Sequence, residues 1–480
     1  WRNTTSVVAV ADGVRRRDCH PPLLWHWMSK VMPGSLEIPY AVKSEPSKKD
    51  QDRHAFLEKD GVAAFGIFDG HGGIDTSQAL KEGLLPKLVA QGYPTDKQIV
   101  DAFWTIDEVC GTEMAARKCH AGSTCTVLLV SDPGKQSRRK SRLSRSMSRM
   151  SVSSTDKPGD YKCKLAWCGD SNAHVIDMKA ETTKAQLAIK MTPHTPYEES
   201  EKKQLLQMAA VCKAVRKLQG KGEKDEPAAK AEEPTADGEG AAEGAPPEGR
   251  RGSEKGEAHE EEGASETEDE VRASQKEAEE DEVDEALVLQ AFQQLGLQVS
   301  TEELQLYKRA LRREKIIQKA IPRNSKYRRR CFIHKRAKKK DANQPLVVAT
   351  AEDPLGKHHK DLMMTRSICD WTKCAWVLPH PQTLEFTVGL GEHKRILIAS
   401  DGLWDVCGAE FATVCARDNA TVDQVVEALM NTAIKTYKED RKLEKMGDDT
   451  TVMVIDLNPS HVAFEQRSAF ATCCAVFGAM

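Results

Sequence analysis

Asp69, Gly70, His71, Gly72 and Gly73 follow directly on an apolar run, residues 62–68. Three more acidic positions share that setting. Asp401 follows the run 395–400, Asp170 follows 164–169, and Asp448 with Asp449 precedes 450–456. Strand ends gather at the rim of a sheet, so acids far apart in sequence can converge there. Gathered carboxylates repel and raise one another's pKa. A hard divalent cation removes that cost, and an all-oxygen donor set suits magnesium or manganese. Asp69, Asp401 and Asp448 are the acids expected on metal. Gly70 allows a sharp turn and offers its carbonyl to an ion. Gly72 and Gly73 are expected to open a helix, where bare N–H groups favour an anion. His71 has no second histidine beside it, which makes a poor zinc set. It reads better as a general acid near a metal-bound oxygen. Two cations bridged by shared carboxylates can deprotonate a water and hold a phosphoryl oxygen, a route to phosphate-ester hydrolysis. That route needs no covalent intermediate, so none of the 14 cysteines has to be a nucleophile.

Taken singly, each feature has a plainer reading. An Asp-Gly pair is most often a turn. A lone histidine is more often a satisfied surface or core residue than a catalyst, and Asp448–Asp449 after Gly447 is a solvated turn. The conjunction of acids, each at the edge of a strand-like run, outweighs those readings.

The elements that must carry these residues follow from periodicity. Residues 63–68 and 125–130 read as buried strands. Residues 76–89 read as a helix with Leu80, Leu84, Leu85 and Leu88 on one face, and 96–118 as a second helix. Between the two halves of the pattern, composition changes. Residues 134–160 are Ser/Arg-rich and almost without apolar side chains. Residues 220–285 hold 25 acids against 8 bases, a composition that cannot bury a core. Residues 308–340 hold 16 Lys and Arg against one acid. Two short helical patterns lie between these blocks, 285–295 and 301–317, the second with Ser300 and Glu303 as a capping box. The acidic and basic blocks are complementary and could pair.

Charge over the whole 480 residues is near balance, at −3, which argues against general affinity for nucleic acid or membrane. No apolar run reaches the roughly 18 residues of a membrane span. The scattered cysteines, without C-x-x-C spacing, read as reduced thiols of an intracellular protein, cytoplasmic or nuclear. The sequence begins with Trp1, which leaves a native N-terminus and any targeting signal open.

The chain resembles a metal-dependent protein serine/threonine phosphatase of the type 2C family. The stretches that carry the resemblance are Asp50 to Arg53, Phe65 to Gly73, Ala121 to Thr124, Cys168 to Ser171, Leu362 to Asp370, Ala399 to Asp405 and Gly447 to Thr450. They occur in the family's order over roughly 50–456. The resemblance implies an α+β four-layer sandwich: two antiparallel β-sheets flanked by α-helices on both outer faces, here with long disordered insertions. It implies a phosphatase domain over 38–457, after an unassigned segment 1–37 and before a tail 458–480. That domain is interrupted by the loop 134–160 and by a flap insertion 200–345 (acidic 220–285, helical 286–318, basic 308–340). Asp69 would bridge two Mg2+ or Mn2+ ions, with the Gly70 carbonyl on one of them. Asp401 and Asp448 would hold the other ion, Asp52 would act through metal-bound water, and Asp170 and Asp405 with Asp401 would hold a third, weaker ion. His71 would protonate the leaving serine or threonine oxygen of a phosphoprotein substrate. The family reading leans to a monomer.

Departures from the family pattern are equally specific. Ser47 stands where the family commonly has the Arg that binds substrate phosphate. Lys48, Lys49 or Arg53 are the available substitutes, although Lys offers no bidentate fork. Gln51 replaces a common Glu, Asn172 an Arg, Cys369 a Gly, and Pro193 an Asp before His194. The main rival is a catalytically weak or dead pseudophosphatase acting as a scaffold. An aspartyl-nucleophile phosphatase of the haloacid dehalogenase type would want Asp-x-Asp after a strand, which is missing from the candidate strands. Nucleic-acid binding through 308–340, with Tyr307, Tyr327 and Phe332 among the bases, is a third reading, weighed against a solvated or acid-paired block. Ser141, Ser148 and Ser253 each have Arg three residues before them and are candidate sites for basophilic kinases.

Overall fold

The computed structural model describes residues 36, 38–117, 119–131, 160–178, 186–220, 283–320, 331–335, 346–350, 362–371, 376–389, 392–440 and 446–458. In chain order the strands and helices are β1 (Tyr40–Glu45), β2 (Arg53–Lys59), β3 (Val62–Phe68), β4 (Gly70–His71), α1 (Asp75–Val89), α2 (Asp96–Ala116), β5 (Gly122–Ser123), β6 (Cys125–Ser131), β7 (Tyr161–Cys168), β8 (Asn172–Asp177) and β9 (Gln186–Lys190). They continue with α3 (Glu199–Leu218), α4 (Glu285–Gln294), α5 (Thr301–Ala320), β10 (Cys331–Lys335), β11 (Leu346–Thr350), β12 (Gln382–Val388), β13 (Lys394–Ala399), α6 (Asp401–Trp404), α7 (Ala409–Asp418), α8 (Val422–Lys435) and β14 (Thr450–Leu457).

Two five-stranded sheets form the body, in the orders β1-β14-β13-β8-β9 and β12-β7-β6-β3-β2, antiparallel throughout. The inner strands β3, β6 and β14 read as largely apolar runs because both of their faces are covered. Successive side chains of a strand point to opposite faces. Along β3, Ala63, Phe65 and Ile67 meet Ile396, Ile398, Met453 and Ile455 of the other sheet. The alternate residues Val62, Ala64 and Phe68 meet Leu80, Leu84 and Phe103 of α1 and α2. On the far side, Leu397, Val452 and Val454 turn outward onto Val425, Leu429 and Ala433 of α8. The expected sandwich of two antiparallel sheets with helices outside is therefore the fold observed. Helix α2 starts at a Thr95/Gln98 capping box and α8 at a Thr421/Gln424 one, which fixes where each helix leaves its loop.

The chain divides into two compact units, 1–209 with 313–480, and 210–312. Within the second, Phe292 of α4 meets Tyr307 of α5 edge-on at 4.8 Å, and Lys308 pairs with Glu285 at 2.8 Å. Ser300 and Glu303 form the expected reciprocal cap of α5. Tyr307 is 3% exposed, so its ring is not presented for stacking on a base.

Two elements of the insertion are located, and one sequence expectation, for Gly72 and Gly73, is corrected. Helix α3 begins where the flap was expected to open, because Leu205, Met208, Cys212 and Val215 recur at helical spacing and are buried. Gly72 and Gly73 do not open a helix. Both have positive φ, and α1 starts at Asp75 after them. The basic block is helical as far as Ala320, and β10 pairs with β11 beyond it. The stretches 134–159 and 221–282 lie outside the described residues, with Ser141, Ser148 and Ser253.

None of the nine cysteines with described side chains forms a disulfide. Among the described residues no helix is long and apolar enough to cross a membrane.

Candidate active site

Strand register places the acids at one end of the sandwich. Phe68 at the end of β3 faces Arg53 at the start of β2, and Ala399 at the end of β13 faces both Val452 of β14 and Asn172 of β8. Cys168 at the end of β7 faces Cys125 at the start of β6. Asp69, Asp401 and Asp170 thus leave the same rim that Asp52 and Asp448 enter. The Asp69 carbonyl is fixed by the Thr124 N–H at 2.9 Å and the Ser123 hydroxyl at 3.0 Å.

The acids interact strongly. Burial, then the charges of Asp52, Asp401, Asp170 and Asp448, pushes Asp69 well above the usual carboxylate range. Asp401 is raised well above it by burial and by Asp170, Asp448, Asp405 and Asp52. Burial pushes Asp52 to about 6, opposed by hydrogen bonds from Ser400 and Thr451. Asp170 rises to about 6 by burial, with Asp405 and Asp448 adding.

Bringing so many carboxylates together is costly unless a cation or shared protons compensate. Asp52 Oδ1 and Asp170 Oδ1 are buried without a hydrogen-bond partner, an expensive state for carboxylate oxygens. The donors are all hard oxygens. They fit Mg2+ or Mn2+ on these grounds. Among the described residues, however, no group of three or more His, Cys, Asp or Glu is arranged to hold one ion. Magnesium usually keeps several waters and takes only one or two carboxylates, so a sparse protein donor set is compatible with it.

His71 is paired with a further acid. Its Nε2 lies 2.8 Å from Asp370 Oδ2, and Asp370 is fully buried and also accepts a short hydrogen bond from the Ser367 hydroxyl. The pair fits only because residue 122 is glycine. A Cβ there would lie 2.5 Å from both His71 Nε2 and Asp370 Oδ1. Asp370 was not among the sequence-derived site residues; its place at the end of the 362–370 stretch was the available signal.

The basic candidates are engaged near the site. Lys49 Nζ donates to both oxygens of Asp448, at 2.9 and 3.0 Å. Arg53 donates to Gln78 and to the carbonyls of Asp50 and Asp52, and Lys48 is exposed. Asp449 is a second residue the sequence reading left without a role. It accepts the N–H groups of Ser47, Asp50 and Gln51 at 2.6, 3.2 and 2.6 Å. Against the burial that would raise it, those donors hold its carboxyl below the usual range. With its amide oriented as its neighbours require, Gln51 accepts from the Gly73 N–H and donates to the Gly70 carbonyl.

Residues 348–442 match the family model for protein phosphatase 2C. The chain is 43% identical over 75 residues to probable protein phosphatase 2C 11 of Arabidopsis thaliana, covering 15% of this chain and 20% of that one. It is 32% identical over 123 residues to probable protein phosphatase 2C 15 of Oryza sativa subsp. japonica, covering 25% of each. The matched parts thus span a quarter or less of those relatives' own length. A crystal structure of serine-threonine phosphatase 2C from Toxoplasma gondii aligns over 87% of this chain and 94% of its own, with TM-score 0.47 and 12% identity. That likeness is too distant to bear on function. The segment matched by the family model carries both Asp370 and Asp401.

Proposed function

We propose that this chain hydrolyses phosphoserine and phosphothreonine in proteins, as a Mg2+- or Mn2+-dependent phosphatase. The observation that carries the reading is the set of buried, mutually repelling carboxylates at one rim of the sandwich. Asp69, Asp401 and Asp448 would hold two ions, with the Gly70 carbonyl. Asp52 would sit behind them, and Asp170 with Asp405 would take a third. Bound there, the ions would activate water and neutralise charge on the phosphoryl group. His71 would protonate the departing serine or threonine oxygen. Asp370, bound to Nε2, would keep the ring turned and favour its protonated form. Lys49 or Lys48 would meet the substrate phosphate in place of the Arg that Ser47 lacks.

The test is hydrolysis of p-nitrophenyl phosphate and a phosphothreonine peptide with Mn2+, Mg2+ or EDTA, beside Asp69→Ala. Metal-dependent turnover lost in the variant supports the reading. Metal uptake by calorimetry without turnover would sink it and favour the scaffold. The engagement of Lys49 with Asp448 and of Arg53 with nearby carbonyls is what speaks for that second reading.

A further inference from the structure

The segment that carries Asp370 is gripped by two helices of the 200–345 insertion, α3 at its start and α5 within it. On one side stands α3. Its buried Glu201 accepts from Arg366 Nε at 2.8 Å, from Arg366 Nη2 at 2.5 Å and from the Thr365 hydroxyl at 2.9 Å. On the other stands α5. Its Arg313, 3% exposed, donates Nε and Nη2 to Asp107 of α2 at 2.7 and 3.1 Å. Asp107 also accepts the Cys369 N–H at 2.8 Å and Trp371 Nε1 at 2.9 Å. The Arg313 guanidinium lies over the Trp371 ring, and Ile317 packs on the same ring. Between the two grips, Ile368 exchanges backbone hydrogen bonds with Ser123 at 3.0 and 3.1 Å. Cys369 has φ 65°, a left-handed turn that costs a non-glycine residue roughly 1 kcal/mol or more and needs such contacts to persist. That turn aims Asp370 at His71.

We propose that Arg313 and Glu201 are positioning residues: the insertion's own stems hold the 365–371 segment so that Asp370 keeps His71 oriented. The proposal rests on His71 being the proton donor. An insertion free of such a task would be expected to join the domain through solvated ends. Here Glu201 and Arg313 each hold a buried charge against the segment that carries Asp370, Arg313 through Asp107. A bidentate Arg–carboxylate pair gives geometric precision that a point charge does not. Anything that displaces these stems would therefore lower proton donation without touching the metal-side acids.

The test compares wild type, Arg313→Lys, His71→Ala and the double variant, at saturating Mn2+, on aryl phosphates from p-nitrophenyl to phenyl and on a phosphothreonine peptide. Arg313→Lys keeps the buried charge and loses the fork. It should slow phenyl phosphate and the peptide about tenfold, and p-nitrophenyl phosphate about threefold or less, because only poor leaving groups need the proton. In the His71→Ala background it should add nothing. Glu201→Gln runs the same comparison from the other stem and stands in if Arg313→Lys does not fold. Equal loss across all leaving groups, or additive loss with His71→Ala, overturns the positioning role. In those cases an active wild type with a leaving-group split in His71→Ala keeps the phosphatase reading; an inactive wild type sinks both.

Discussion

Ser400 Oγ donates to Asp52 Oδ2 at 2.8 Å and accepts the Thr451 N–H at 2.9 Å. One hydroxyl thus joins the rim of the sheet holding β13 and β14 to the residue that enters β2 of the other sheet. Asp52 is buried, and its second oxygen has no hydrogen-bond partner. Orientation of a carboxylate by an outer hydrogen bond commonly changes metal affinity 10–100-fold. Ser400→Ala should therefore weaken Mn2+ binding by about that factor, read by calorimetry. It should also cost about 1–3 kcal/mol in urea unfolding, because it leaves buried groups unsatisfied. Unchanged Mn2+ affinity would remove Asp52 from the metal's surroundings.

The acid cluster makes an opposite prediction for the metal-free protein. Asp401 is buried among four other carboxylates that each raise its pKa. Neutralising it removes repulsion when no cation is present. In EDTA, Asp401→Asn should have a Tm equal to or above wild type. Added Mn2+ should raise the wild-type Tm by mass action and leave the variant unmoved. A variant that melts lower in EDTA, or that gains as much from Mn2+ as wild type, would show that these acids are held by something other than a cation's absence and return.

Stability should fall with pH from two buried groups outside the site. His174 lies edge-on to Trp404 at 4.5 Å, and burial, with the charge of Lys190 nearby, pushes it down to about 4. An unfolded histidine takes a proton near 6.5. Between those values the unfolded chain binds a proton that the folded one refuses, so stability drops by up to about 3 kcal/mol as pH falls from roughly 6.5 to 4. His174→Gln should flatten that slope in urea titrations at pH 7, 5.5 and 4.5. Asp456 acts lower. Burial would raise it, but hydrogen bonds from Arg395 and His393 hold it below the usual range. Its contribution is complete above the unfolded carboxyl's value near 4 and is lost as pH falls through the folded one.

Arg395 is fully buried, and its guanidinium donates to both oxygens of Asp456 and to the carbonyls of Ala416, Asn419 and Ala420. It ties β13 to β14 and to the end of α7. Asp456→Ala would leave that cation buried without its counter-charge, at a cost of about 3–5 kcal/mol. Denaturant midpoints of the two proteins at pH 7 measure it; a loss under 1 kcal/mol would mean that the three carbonyls alone satisfy the guanidinium.

The fold was legible because its inner strands are covered on both faces. That makes β3, β6 and β13 uninterrupted apolar runs, and the acids at their ends mark the rim. What escaped the sequence was tertiary. Asp107 and Arg313 look like ordinary charges on helical faces, and only the fold brings them together under Cys369. Asp449 is indistinguishable from Asp448 in sequence, yet it serves the 47–51 backbone while Asp448 meets Lys49. The basic block hid a buried arginine because composition counts charges without saying where they point.

Gly122 separates orientation of His71 from its chemistry. Any Cβ at that position lies 2.5 Å from both His71 Nε2 and Asp370 Oδ1, so Gly122→Ala should displace one or both members of a pair now 2.8 Å apart. Displacing a catalytic group by about 1 Å can cost on the order of 100-fold. The loss should appear with a phosphothreonine peptide, whose alkoxide needs the proton. It should be much smaller with p-nitrophenyl phosphate, whose phenolate leaves unaided. Mn2+ affinity should hold, because Gly122 borders the His71–Asp370 pair and not the Asp401 or Asp448 side of the rim. The mutation also serves as a control on cause: if both substrates slow equally while Mn2+ binding weakens, the wedge has disturbed β4 and β5 and with them Asp69. In that event the role given to His71 would lose its support from this contact.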